Sequence, residues 1–365
     1  VDDGWFVKRN TDRAALGDWR EDREKFPGGI CSLAEKIREM GMGFGIWFEP
    51  EMVSPDSDLY RAHPDWIIRS SLYDPVLSRT QYVLDLSNPE VCDFIYQSVA
   101  DILEKTKASY VKWDMNRHIT DLGSAYLKEK CQRELSHRYI LGLYSILERL
   151  NRNFPEVLFE GCSSGGGRYD AGMLYYMPQT WASDNTDAVC RLKIQYGTSI
   201  LFPAITMGSH VSDVPNHQVR RITPLSTRFA AAMSGNLGYE LDLRKMSEEE
   251  KREVKEEIRF YKSIREVIQM GRFYRLKNPQ RGNEAAWNFV SEDGRTVIYC
   301  YFRILSDPLS LSFPVKLKGL DPDSVYRLEE NGLCYGGDEL MYAGITSYPE
   351  KGDFSSHVYV FQKIK

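Results

Sequence analysis

The chain lacks most of the signals from which a function is commonly read. It has no surplus of positive charge: 47 lysines and arginines stand against 52 aspartates and glutamates, a net charge of −5. That balance leaves no electrostatic footprint for nucleic acid or an acidic membrane. No apolar run approaches the roughly 18–20 residues of a membrane span. Seven cysteines are scattered without a CxxC pair. An odd, unpatterned set indicates reduced thiols, and a cytoplasmic location is expected. Six histidines form no HExxH or HxH pair, which argues against a zinc site. The glycine run SSGGGR (163–168) lacks the GxxxxGK[ST] frame of a phosphate loop. Repeats and low-complexity segments are also missing.

What is present is a strand–helix alternation that runs to about residue 268. GGICSLAEKIREMG (28–41) is amphipathic and closed by glycine, and GFGIWFEPEMV (43–53) reads as a strand running into a loop. A capped helix is expected over 87–108, a strand at SYVKWDMN, a long helix over 124–152 and a strand at 157–162. PQTWASD precedes a helical 187–201, AITMGSH a helical 218–234, and NLGYELDL a charged helix over 247–269. Such units imply parallel strands, and six or seven of them favour a (β/α)8 barrel over a short doubly wound sheet. From about 275 short alternating runs take over, including an EDG hairpin signature and the strand candidates SLSFPVKLKGL, SVYRLEENG and SSHVYVFQKI. The expected organisation is a catalytic barrel over 1–269 and an antiparallel β-sandwich over 270–365. The chain opens on VDDGWF without an initiator methionine. The first barrel strand is therefore expected to lie upstream, the stub at residues 1–3 to fray, and the chain alone to aggregate and turn over poorly.

In a parallel barrel, functional groups gather at the C-terminal ends of strands. Here those ends carry Asp2 and Asp3, then Trp47 and Glu49, then Lys112, Asp114 and Asn116. Glu160 and Cys162 follow, then Trp181 and Asp184, then Ser209 and His210. One strand carboxylate is as often a structural ion-pair member as a functional group, and a lone tryptophan is more often core. Several carboxylates converging on one rim are costly to bury unless used. Carboxylates and amides over aromatic floors suit a carbohydrate, whose hydroxyls need both donors and acceptors. Lys112, two residues from Asp114 on one strand face, is expected to hold that carboxylate charged. Asp184, beside Trp181 and away from an obvious cation, is expected in a drier setting suited to an acid.

KWDMNR (112–117), DDGWF (2–6), FEGCSSGGGR (159–168) and WASDNTDAVCRLKIQYG (181–197) closely resemble the α-galactosidases of glycoside hydrolase family 36. The resemblance covers essentially the whole chain. It implies that Asp114 is the nucleophile and Asp184 the acid/base of a retaining exo-α-galactosidase acting on melibiose- or raffinose-type α-1,6-galactosides. It further implies galactose binding by Asp2, Asp3, Trp47, Arg79, Lys112, Asn116 and Cys162, with Trp113, Met115, Gly165 and Trp181 lining the pocket. No metal or cofactor is implied, and members are often homo-oligomers. Asp187 is expected to support the following helix instead. Within this class, α-N-acetylgalactosaminidase and raffinose or stachyose synthase are alternatives, and a non-catalytic sugar-binding fragment is an alternative from outside it. The large departure from the family is the absence of its N-terminal β-domain and first barrel strand from these residues.

Overall fold

The structure, a computed structural model, describes residues 1–306, 308, 313–346 and 352–365. The chain divides into two compact units, Val1–Trp181 and Ala182–Lys365.

The first unit runs α1 (Gly29–Glu39), β1 (Gly45–Phe48), β2 (Met52–Val53), α2 (Asp58–Ala62), β3 (Tyr82–Val83), α3 (Pro89–Thr106), β4 (Tyr110–Trp113), α4 (Leu135–Asn153), β5 (Leu158–Gly161), α5 (Ala171–Tyr176) and β6 (Gln179–Trp181). Strands β1, β4, β5 and β6 pair parallel in that spatial order, while β2 and β3 form a small antiparallel pair. The helices begin where local chemistry dictates. Asn88 accepts the Glu90 N–H at 3.0 Å, Pro89 follows at the first helical position, and Asp170 caps α5. The apolar faces of α1, α3 and α4 close over the sheet, burying Ile30, Ile95, Val99, Leu143 and Leu147 with Val111 and Phe159.

The second unit runs α6 (Ala188–Thr198), β7 (Met207–Ser212), α7 (Leu225–Ala232), β8 (Asn236–Glu240) and α8 (Glu248–Met270), with β7 and β8 paired parallel. Ser247 and Glu250 form a reciprocal capping box at the start of α8. Six further strands follow: β9 (Arg272–Lys277), β10 (Glu284–Val290), β11 (Thr296–Arg303), β12 (Val325–Leu328), β13 (Cys334–Gly336) and β14 (Ser355–Lys363). They make an antiparallel sheet in the order β13-β12-β14-β11-β10-β9. One face, with Trp287, Phe289 and Ile298, packs with Tyr261, Ile264 and Ile268 of α8. The other face, with Tyr299 and Tyr301, is covered by Val315, Leu317, Leu340 and Ile345.

Three local expectations fail, each for a visible reason. Residues 124–128 do not join the helix, and Glu129–Glu134 form a 3₁₀ helix that leads into α4. Ser124 Oγ takes the N–H groups of Tyr126 and Leu127, while the Gln132 side chain binds the Ser124 N–H and C=O. Polar side chains thus capture backbone groups that a helix would need. Residues 218–224 stay outside α7 because Asn216 Oδ1 binds the Gln218 and Val219 N–H groups and Pro224 starts the helix. The stub does not fray either, since the Val1 amine donates to Gly45 O at 2.7 Å and Val1 O accepts from Trp47 N–H at 3.0 Å. The strand expected at SLSFPVKLKGL falls in part outside the described residues; within them Val315 makes a single antiparallel bridge to Ile345.

Candidate active site

Register decides which side chains meet. Trp47 lies beside Lys112, Lys112 beside Glu160, and Glu160 beside Gln179 on successive parallel strands. Aligned neighbours project from the same face, so these residues make one level. Two residues further on, the same period carries Glu49, Asp114, Cys162 and Trp181 to the next level, at the C-terminal ends. The ladder continues there, with Asp114 N–H on Phe48 O and Cys162 N–H on Trp113 O, each at 2.8 Å.

Asp114 is 6% exposed. Its Oδ1 accepts the Met115 N–H at 2.9 Å, and its Oδ2 accepts Trp47 Nε1 at 3.2 Å and Asn116 Nδ2 at 2.8 Å. Beside it, burial, and then the Asp114 charge, push the Cys162 thiol far above its ordinary range. Trp47 is oriented from behind, since its own carbonyl accepts Trp5 Nε1 at 2.8 Å. These donors fix the plane of the Asp114 carboxylate before any substrate arrives.

Lys112 is coupled to the Asp114 charge, as expected, but its ion pair is with Asp2. Its Nζ lies 3.9 Å from Asp2 Oδ2 and 5.8 Å from the centre of the Trp181 ring. Burial works against its charge, but Asp2, Cys162, Glu160 and Asp114 together outweigh burial and raise its pKa. Glu160 is buried and engaged by Tyr110 Oη and Gln179 Nε2. Asp3 is forked by Arg9, at 2.9 and 2.8 Å. Arg79 sits next to Thr80 with both in the left-handed region, φ 50° and 58°, and the Arg79 charge is felt at Glu49. Consecutive non-glycine residues in that region are costly and are retained where a loop must aim a side chain. Gly165, at φ +88°, follows Ser164, whose hydroxyl donates to Asn116 Oδ1 at 3.1 Å. Met115 is buried and reaches the carboxylate through its backbone N–H. Trp113 is brought elsewhere: fully buried, it donates to Glu51 at 2.8 Å on the opposite face of β4. Gly161–Gly165 also fits the frame G-x-S-x-G of a nucleophile elbow. Its central Ser163, however, accepts Arg168 Nε at 2.8 Å, and a guanidinium cannot act as the base a serine nucleophile needs.

In the second unit, Asp184 is exposed, so the dry setting expected for it is absent. Its loop is pinned on both sides. Arg191 Nη1 donates to Ser183 O at 3.1 Å, and Asn216 Nδ2 donates to Thr186 Oγ1 at 3.2 Å. Asp187 caps α6 through the Cys190 N–H at 2.9 Å and pairs with Arg221, the supporting place expected for it.

Residues 1–271 match the Melibiase family, and residues 284–361 match the Glycosyl hydrolase family 36 C-terminal domain. The chain belongs to the melibiase family. It is 51% identical over 365 residues to alpha-galactosidase AgaA of Geobacillus stearothermophilus, covering all of this chain and 50% of AgaA. It is 47% identical over 364 residues to alpha-galactosidase Mel36A of Lactobacillus acidophilus, again covering all of this chain and 50% of the relative. The chain thus spans about half the length of these curated relatives. The crystal structure of AgaA superposes with a TM-score of 0.97 at 52% identity, covering 100% of this chain and 50% of that one. A variant of AgaA in complex with raffinose gives 0.98 at 51% identity, covering 100% and 51%. The barrel-type parallel α/β fold with an antiparallel C-terminal domain is therefore established for this chain.

Two features of this site escaped the sequence reading. One is the Arg9 fork on Asp3. The other is the state of Glu49, which is 1% exposed and accepts the Asn116 N–H at 2.7 Å. Burial, then the Asp114 charge, push the Glu49 carboxyl up to about 7 against the opposing pull of Asn116 and Arg79. Folded Glu49 thus retains a proton that the unfolded chain loses from about pH 4.5, so stability falls as pH rises from there to about 7. Glu49→Gln removes that loss. The stability of Glu49→Gln relative to the parent is expected to rise by roughly 3 kcal/mol across this window. Urea unfolding of both proteins at the two ends of the window measures it; a constant difference refutes it. Glu257, also pushed up to about 7 chiefly by burial, titrates in both proteins and cancels.

Proposed function

We propose that this chain is the catalytic part of a retaining exo-α-galactosidase that removes terminal α-1,6-linked galactose from melibiose- and raffinose-type substrates. The observation that carries the reading is the Asp114 carboxylate, buried at a strand end and oriented by Trp47, Asn116 and the Met115 N–H. In support, AgaA and Mel36A are named alpha-galactosidases, and AgaA variants have been solved with raffinose and with stachyose.

Asp114 bonds to the anomeric carbon as the glycosidic bond breaks, and Asp184 protonates the departing oxygen. Asp184 then takes a proton from water, which attacks the same carbon and releases the Asp114 ester, so configuration is retained. Lys112, Trp47, Asn116, Cys162 and Gly165 hold the sugar around Asp114, and Trp181 offers an apolar face to its C–H groups. Every step uses side chains of the protein itself. Seven free cysteines support a reducing, cytoplasmic setting.

The first test is hydrolysis of p-nitrophenyl α-galactoside against its N-acetylgalactosamine analogue by the full-length parent. Preference for the acetamido sugar refutes the substrate assignment, and turnover of neither refutes the enzyme. A second test addresses sugar reading by the DDGW pair. Asp3→Asn is expected to weaken inhibition by galactose by roughly 1–3 kcal/mol, because it unbalances the Arg9 fork and removes a charged acceptor. An unchanged inhibition constant with both Asp2 and Asp3 replaced by asparagine takes the pair out of the site.

A further inference from the structure

Behind the strand that carries Asp114 lies a carboxylate that the chemistry above does not use. Glu51 is fully buried, and its two oxygens accept Trp113 Nε1 at 2.8 Å, Arg168 Nη1 at 3.0 Å, Arg168 Nη2 at 2.7 Å and the Tyr139 hydroxyl. The third guanidinium donor, Arg168 Nε, reaches Ser163 Oγ at 2.8 Å. One carboxylate therefore grips two segments. The first is the end of β4, at the residue immediately before Asp114. The second is the 162–168 loop, which is tied to the end of β4 by the Cys162 N–H on Trp113 O at 2.8 Å and to Asn116 through Ser164 Oγ at 3.1 Å.

A buried ion pair is weak evidence for stability, because desolvation of both charges offsets most of their attraction. A planar fork does something an apolar pair cannot: it sets distance and angle together. We propose that Glu51 and Arg168 are positioning residues that hold Asp114 and the Cys162 loop in mutual register for attack on the sugar. This rests on the reading of Asp114 as the nucleophile. The pair touches no reacting atom, so its contribution is expected in the chemical step rather than in affinity.

The test uses the full-length parent and two mild variants, Arg168→Lys, which keeps the charge but loses the fork, and Ser163→Ala, which removes only the Arg168 Nε contact inside the loop. Both are expected to lower kcat on p-nitrophenyl α-galactoside, Arg168→Lys by about 10- to 100-fold and Ser163→Ala by several-fold, with KM changed less than about threefold. Rates should also depend more steeply on leaving-group acidity, since formation of the glycosyl–Asp114 bond is what is slowed. Ser163→Ala should melt within about 2 °C of the parent, which separates positioning from folding. Parent-like kcat in either variant overturns the proposal, as does a loss fully explained by a smaller fraction of active molecules on active-site titration. If the parent hydrolyses α-galactosides and azide rescues Asp114→Gly while Arg168→Lys behaves as the parent, only the positioning role falls. If the parent hydrolyses none, the reading of Asp114 falls and the positioning role falls with it.

Discussion

Asp114→Gly in the full-length parent is expected to lower turnover of p-nitrophenyl α-galactoside by at least about 10⁴-fold, the scale seen when a covalent nucleophile is removed. The cause is specific to the site. Trp47, Asn116 and the Met115 N–H all converge on that one carboxylate. Glu49, a second buried carboxyl coupled to Asp114, is committed to the Asn116 N–H at 2.7 Å and is pushed up to about 7, chiefly by burial. Glycine leaves a gap on the face from which Asp114 would attack, and azide fits such a gap. Added azide should restore part of the rate and yield β-galactosyl azide, formed by a single displacement with inversion. Near-parent activity without azide, or an α-azide product, refutes the assignment.

The second large effect is expected at Asp184 and should depend on the substrate. In the proposed role Asp184 is the proton donor, so in Asp184→Ala raffinose should lose about 10³-fold or more, whereas aryl galactosides with acidic leaving groups should lose far less in the first step. Release of the sugar then limits the rate, and a burst of aryl alcohol should precede steady turnover. Azide captures the glycosyl–Asp114 ester from the opposite side, so the rescued product should be α-galactosyl azide. The anomer of the azide thus separates the two aspartates in one measurement. Equal losses on both substrate types would assign Asp184 to structure, alongside Asp187, which caps α6 and pairs with Arg221.

Much of this site was legible because its determinants are local. The alternation through YVKWDMN places Lys112 on one face and Val111 and Trp113 on the other, and β4 is built that way. The capping signals before α3 and α8 need only a few consecutive residues, and both helices start where those signals stand. The motif WASDNTD marks a strand end followed by a helix start, and β6 and α6 flank it. Where side chains could compete for the backbone, as at Ser124, Gln132 and Asn216, local pattern misled, because apolar spacing does not register a polar group that ties up an N–H.

The sequence by itself determined the parallel α/β architecture and the antiparallel C-terminal sheet, since periodicity and turn signals encode each within a few residues; the family resemblance pointed to the two aspartates. Only the tertiary structure decided which groups surround them. It gave Lys112 to Asp2 and Asp3 to Arg9, turned Trp113 away to Glu51, and left Asp184 exposed. It also buried Glu49 beside Asp114 and joined Glu51 to Arg168 across 117 positions of chain. Those pairings follow from strand register and from the desolvation of charges brought together, and neither can be read from a stretch of sequence: a carboxylate two residues from a lysine is only a neighbour until the fold chooses its partner.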